Sequence, residues 1–203
     1  MKRVTGNNAP ASKFRVSIQQ TLDGHSFSRP DLNVTPPSEE CVEVELLLPH
    51  VVLVPEAFDR SELRKQILAA NGTPAAPTEE IVACEAKNGC VALVAVDRAV
   101  LDAISAKFPR ARFSSPLEHL PKKRDKCVWI ACRETIAFVK VYNNGQLLLA
   151  EAIPAASEAE IEYFFKQLGT RFPLAEYELL VAGDNPKALR KWIGKPFLRV
   201  VCE

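Results

Sequence analysis

Glycine is scarce in this chain: 203 residues contain eight. No two glycines stand one residue apart, so the glycine-rich dinucleotide fingerprint and the P-loop are both excluded. No C-x-x-C occurs among Cys41, Cys84, Cys90, Cys127, Cys132 and Cys202, and none has a zinc-type spacing to a histidine. Most lie in apolar, strand-like runs and read as reduced, buried thiols. An excess of one charge is missing too. Residues 1–124 carry 16 Lys/Arg against 15 Asp/Glu, and residues 125–203 carry 10 against 10. That balance argues against a general nucleic-acid binder. The basic groups Lys122, Lys123, Arg124 and Lys126, and Lys187, Arg190, Lys191 and Lys195 beside Trp192, lack an aromatic stacking platform. They read as a solvated linker and a helix face. The most apolar stretch, Leu46 to Pro55, is interrupted by Pro49 and His50 and is too short to span a bilayer. No apolar run follows Met1-Lys2-Arg3, so the expectation is a cytoplasmic protein without a signal peptide.

Catalytic signatures are also few. There is no G-x-S-x-G, and His25, His50 and His119 are scattered over turn or loop contexts. A two-metal nuclease needs a carboxylate within its first strand, but Cys127 to Cys132 holds none. Glu43 and Glu45 share one strand face, which reads as solvated rather than metal-binding. No catalytic and no metal-binding residue is assigned. The sequence leaves open whether the chain is an enzyme, with the balance against it.

What is present is regular alternation. Residues 1–12 read as a flexible tail. Phe14, Val16 and Ile18 alternate with polar residues as in a half-buried strand. Asp23-Gly24 reads as a hairpin turn with a return strand behind it. Cys41 to Leu48 reads as a third strand, and Val51 to Val54 as another. A first helix is predicted with Asp59 and Glu62 as its capping box and Asn71-Gly72 as its stop. Strands follow at 80–86 and 90–96 around the turn Lys87-Asn88-Gly89. Asp97 then caps a helix running to Phe108, and a short strand covers Ala111 to Ser114.

Beyond Pro121-Lys122-Lys123-Arg124 the pattern restarts. Strands are expected at 126–132, 135–142 and 146–153, with Asn143-Asn144-Gly145 as a hairpin turn. Ser157 and Glu160 form a capping box for a helix whose Ile161, Phe164, Phe165 and Leu168 share one face. A strand at 177–182, the turn Gly183-Asp184-Asn185-Pro186, a helix ending at Gly194 and a strand at 197–202 complete the chain. The second half thus reads βββαβαβ, and the first half nearly so. That is the ribonuclease-H-like order. The fold expected is α/β: two ribonuclease-H-like units in an actin-like ATPase arrangement, mixed sheets flanked by helices, with units at 13–121 and 122–203.

The run Ser17-Ile18-Gln19-Gln20-Thr21-Leu22-Asp23-Gly24-His25-Ser26-Phe27-Ser28 resembles the start of an uncharacterised bacterial family, domain of unknown function family 3822. Leu53-Val54-Pro55-Glu56-Ala57-Phe58 resembles that family as well. The resemblance implies an actin-like ATPase fold with no assigned activity. Actin-like ATPases hold phosphates in two glycine-containing hairpins, each with a metal-associated Asp. The candidate nucleotide residues are therefore Asp23 and Gly24, Asn144 and Gly145, and, on the adenosine side, Gly183 and Asp184. All three loops depart from the active pattern: Asp23-Gly24 lacks the Asp-x-Gly spacing, Asn stands for the second carboxylate, and the last turn has one glycine instead of two. The reading is a non-catalytic actin-like domain acting as a protein-interaction module, with no cofactor and an unidentified protein partner. Its alternative is a nucleotide-binding actin-like ATPase with atypical loops and ATP/Mg²⁺ as ligand. An enzyme of another class, using a pocket formed only on folding, is the third possibility. Oligomeric state is not legible.

Overall fold

The computed structural model describes residues 14–21, 24–28, 42–122 and 124–203. Its centre is a five-stranded sheet built from β8 (Lys126–Arg133), β9 (Ile136–Asn143), β10 (Gln146–Pro154), β11 (Glu178–Gly183) and β12 (Arg199–Cys202). The spatial order is β10-β9-β8-β11-β12, with the first three antiparallel and β8, β11 and β12 parallel. Strand alternation gives this sheet two apolar faces. Val128, Ile130, Ala137, Val139, Val141, Leu179 and Val181 turn toward α3 (Glu158–Arg171) and α4 (Pro186–Ile193). Ile161, Phe165 and Leu168 supply the buried stripe of α3, and Leu189 and Ile193 that of α4. The predicted capping box of α3 is present, with Ser157 N–H donating to Glu160 at 3.0 Å.

The opposite face, carrying Cys127, Trp129, Ala131, Phe138, Tyr142 and Leu180, packs on the first half of the chain. One continuous core therefore crosses the boundary that the sequence suggested near residue 121. Its other wall comes from β3 (Val42–Leu47), β6 (Cys90–Asp97) and α2 (Arg98–Lys107), through Val44, Leu46, Val94, Val100 and Ile104. Asp97 caps α2, accepting from Ala99 N–H at 2.9 Å. Each such fully buried aliphatic side chain contributes about 1.5–3 kcal/mol relative to exposure.

The first half departs from the expected repeat. β1 (Phe14–Thr21) and β2 (Gly24–Ser28) form the antiparallel hairpin, with Thr21 opposite Gly24. Gly24 is thus already the first residue of β2, and Asp23 lies outside the described residues. β3 pairs parallel with β1, not antiparallel with β2. It is a later strand of the ribonuclease-H order rather than the third of a meander, and β7 (Ala111–Ser114) lies parallel beside it. Alternation alone carries no strand direction, so the sequence could not separate the two cases. Between β3 and α2 the chain builds a second sheet, β4-β6-β5, from β4 (Val51–Pro55), β5 (Glu79–Ala83) and β6.

The first predicted helix starts late. Asp59 does not cap it; the helix α1 spans Arg64–Ala70. The Asp59 carboxylate instead receives Arg64 Nε and a second guanidinium N–H at 2.7 and 2.8 Å, which holds its pKa below the usual value. The stop at Asn71-Gly72 is as expected, with Gly72 at φ +76°. The cysteines are free among the described residues. Burial pushes the Cys127 and Cys132 thiols up to about 11, away from reactivity.

Candidate functional site

β1 and β8 hold equivalent places: each pairs antiparallel with the next strand on one side and parallel with a later strand on the other. By that equivalence, the partner of the first hairpin turn is the β8–β9 turn at Glu134-Thr135, not Asn144-Gly145. The β8–β9 turn has no glycine, and Glu134 itself takes φ +51°.

Gly183 and Asp184 lie beside this turn. Gly183 pairs with Cys132, and Asp184 N–H donates to the Cys132 carbonyl at 2.8 Å. Asp184 Oδ2 accepts from Glu134 N–H at 3.0 Å, while Arg133 approaches Oδ1 at 3.9 Å. A β-carbon at Gly183 would sit 2.1 Å from the Cys132 carbonyl oxygen. The glycine is thus required for close approach of two strands at φ +83°.

Asn144 and Gly145 sit at the other end of the same sheet, where Gly145 N–H donates to Arg124 carbonyl at 2.7 Å. Asn143 is level with Lys126, and Gly183 with Cys132. Six residues of strand separate them, roughly 20 Å. The structure therefore brings Gly183 and Asp184 together with Glu134, and leaves Asn144 and Gly145 apart. Asn144 and Gly145, at φ +49° and +77°, form the two-residue hairpin turn that Asn-Gly favours. Gly24 begins β2.

Between the halves, at the Gly183 end of the sheet, lies a cavity of about 360 Å³. Glu45, Ser114, Ser115 and Glu118 line it from the first half, and Trp129 and Arg133 from the second. Glu45 is 6% exposed, so the expectation that Glu43 and Glu45 form a solvated face is overturned for Glu45. β3 is covered on both faces because the second half packs over it. Glu43 faces Lys87 at 3.7 Å.

Pro116–Glu118 is a short 3₁₀ turn opened by Ser115. Glu118 Oε2 accepts from Ser115 N–H at 3.0 Å and faces Lys87 at 3.8 Å. Burial raises the Glu118 pKa against the lowering effects of the Ser115 N–H, Lys87 and the nearby Ala92 N–H. Oε1 makes no hydrogen bond of acceptable geometry. His119 stacks on Trp129 with ring centroids 5.3 Å apart. Burial lowers the His119 pKa, and the Lys140 charge lowers it further.

Lys140 is the residue that the sequence reading missed. It lies on β9 and is 1% exposed. Its Nζ donates to the Leu117 carbonyl at 3.0 Å and to the His119 carbonyl, and lies 4.6 Å from the Trp129 ring centroid. No carboxylate is within ion-pair distance among the described residues, and desolvation lowers its pKa to about 7. The amine ties the crossover segment Leu117–His119 to the central sheet. A signal existed: Lys140 occupies the same strand phase as Phe138 and Tyr142, an apolar position held by a charge. Glu118 was legible as the last residue of Ser115-Pro116-Leu117-Glu118, a capping-box pattern.

Among the described residues, no group of His, Cys, Asp and Glu could hold a metal ion, and no helix is long and apolar enough to cross a membrane.

No family model matches the chain, and no curated protein matches it. Among solved structures it is similar to a Bacteroides thetaiotaomicron protein with an actin-like ATPase fold and unknown function. That likeness has a TM-score of 0.70 at 17% identity and covers 95% of this chain and 91% of the other. The cytoplasmic domain of EpsL, an inner membrane component of the type II secretion system of Vibrio cholerae, is more distant, with a TM-score of 0.41 at 10% identity. It covers 83% of this chain and 80% of the other. The chain has an actin-like ATPase fold.

Proposed function

We propose that this chain is a non-catalytic actin-like domain that works as a protein-interaction module, in the uncharacterised family its opening residues resemble. One observation carries the first part. At the shared end of β8 and β11, the backbone donors of Glu134 and Asp184 are already taken by Asp184 Oδ2 and Cys132 O. A phosphate cradle needs free N–H groups and a glycine whose backbone a ligand can approach. Here the glycine is closed by a strand, its β-carbon position 2.1 Å from the Cys132 carbonyl oxygen.

The interaction role is supported by the edges of the sheets. Among the described residues, β10 and β12 are the two edge strands of the five-stranded sheet. Leu148 on β10 is exposed, as are Val201 on β12 and Leu198 just before it. Unpaired strand edges with exposed aliphatic residues are templates for an added strand of a partner.

Two measurements test this reading. The purified chain is expected to hydrolyse ATP with Mg²⁺ no faster than a buffer blank, and clear turnover would refute the non-catalytic assignment. A photo-crosslinking residue at Leu148 or Leu198 should capture a defined protein that is not captured from Lys166 on the exposed side of α3. Equal capture from all three positions would count against edge recognition.

A further inference from the structure

The cleft between the halves contains two buried polar atoms that the described residues leave without a partner. Ser114 is 2% exposed and its hydroxyl makes no hydrogen bond. Glu118 is also buried, and its Oε1, with the Ala92 N–H nearby, completes no hydrogen bond either. Proteins satisfy nearly all such groups, because leaving one dry and unpaired is costly. Both residues line the cavity of about 360 Å³, a size within the range of small-molecule sites.

The walls narrow the chemistry of what would fill it. Glu45 and Glu118 disfavour an anion, and Lys87 and Arg133, on the same cavity, disfavour a cation. A neutral ligand avoids both penalties. Ser114 can donate or accept a hydrogen bond. Glu118 accepts when ionised and donates when its buried carboxyl holds a proton. A hydroxyl also donates or accepts, so it matches both residues in either protonation state. His119, stacked on Trp129, adds a flat ring face at the same cavity against which the C–H face of a ring can pack.

We propose that this cleft binds a neutral polyhydroxylated small molecule whose hydroxyls complete Ser114 Oγ and Glu118 Oε1. The site is separate from the sheet edges assigned to a protein partner, and either assignment can fail without the other.

The test is a titration of the full ¹⁵N-labelled chain with myo-inositol, D-ribose and D-glucose, each to tens of millimolar, followed by amide chemical shifts. At least one probe is expected to give saturable shifts at Ser114, Ser115, Ala131 and Ala182. Ser114→Ala and Glu118→Gln should each weaken that binding by about tenfold, the loss of one such hydrogen bond. Well-dispersed spectra of both variants establish that they fold. No saturable shift from any of the three probes, shifts centred elsewhere, or affinity unchanged in both variants would overturn the proposal and leave water as the partner of these atoms.

Discussion

The two halves differ in how their sheets are closed. The second half is one uninterrupted five-stranded sheet, with helices on one face and the first half on the other. The first half splits its strands between β2-β1-β3-β7 and the smaller β4-β6-β5. The second half could build its own core against α3 and α4, while the core of the first half is completed by Trp129, Phe138 and Tyr142 from its neighbour. Each half is thus completed by the other: the second covers one face of its sheet with its own helices, and the first half covers the other face.

The largest effect should come from removing that support. Phe138→Ala empties a fully buried site in the shared core and should cost about 3–5 kcal/mol. Denaturant unfolding followed by tryptophan fluorescence and by far-ultraviolet circular dichroism should give one coincident transition in the parent chain. Two separated transitions would show that the halves fold independently, against a shared core.

Next in size is the contrast between two glycines of one sheet. Gly183→Ala must hold φ +83° and push against the Cys132 carbonyl, so a loss of roughly 2–3 kcal/mol is expected. Gly145→Ala has the same backbone strain but open space around it, so about 1 kcal/mol is expected. Equal losses would mean that the strand contact at Gly183 is not tight.

Lys140 sharpens the role of the crossover. Its folded-state pKa, about 7, lies below the unfolded value of about 10.4. Between these values the unfolded chain binds more protons, so stability should rise as pH rises from about 7 to about 10. The Lys140 contribution to this rise should vanish in Lys140→Met when both are unfolded by urea across that range. An unchanged slope would show that the amine is not desolvated.

The smallest effects lie at helix ends and on the surface. Ser157→Ala should cost about 1 kcal/mol through the lost capping box. Asp59→Asn, which weakens a partly exposed pair with Arg64, should cost well under 1 kcal/mol. Both are read from urea midpoints.

Legibility followed the same division. β8, β9, β10, α3, β11 and α4 were readable to within a residue or two, because period-2 alternation, the Ser157–Glu160 box and Pro186 all act locally. The strand at β3 was readable as a strand, but its partner was not, since pairing direction depends on distant residues. The start of α1 was missed because Asp59 spends its carboxylate on Arg64. For the site, the sequence marked Gly183 and Asp184 but joined them to Asn144 and Gly145, which the sheet holds at its far end. Glu134, the true neighbour, has no glycine to announce it, and the burial of Lys140 and Glu45 arises only when the halves meet.

At the shared end of β8 and β11, the N–H groups of Glu134 and Asp184 are already satisfied within the chain. A thermal-shift titration with ATP, ADP and GTP, each with Mg²⁺, tests it most directly. Binding at a hundred times the dissociation constant would add about 2.7 kcal/mol and raise the midpoint by a few degrees. No saturable shift is expected with any of the three at millimolar concentration. A saturable shift with one nucleotide, lost in Asp184→Asn, would contradict it.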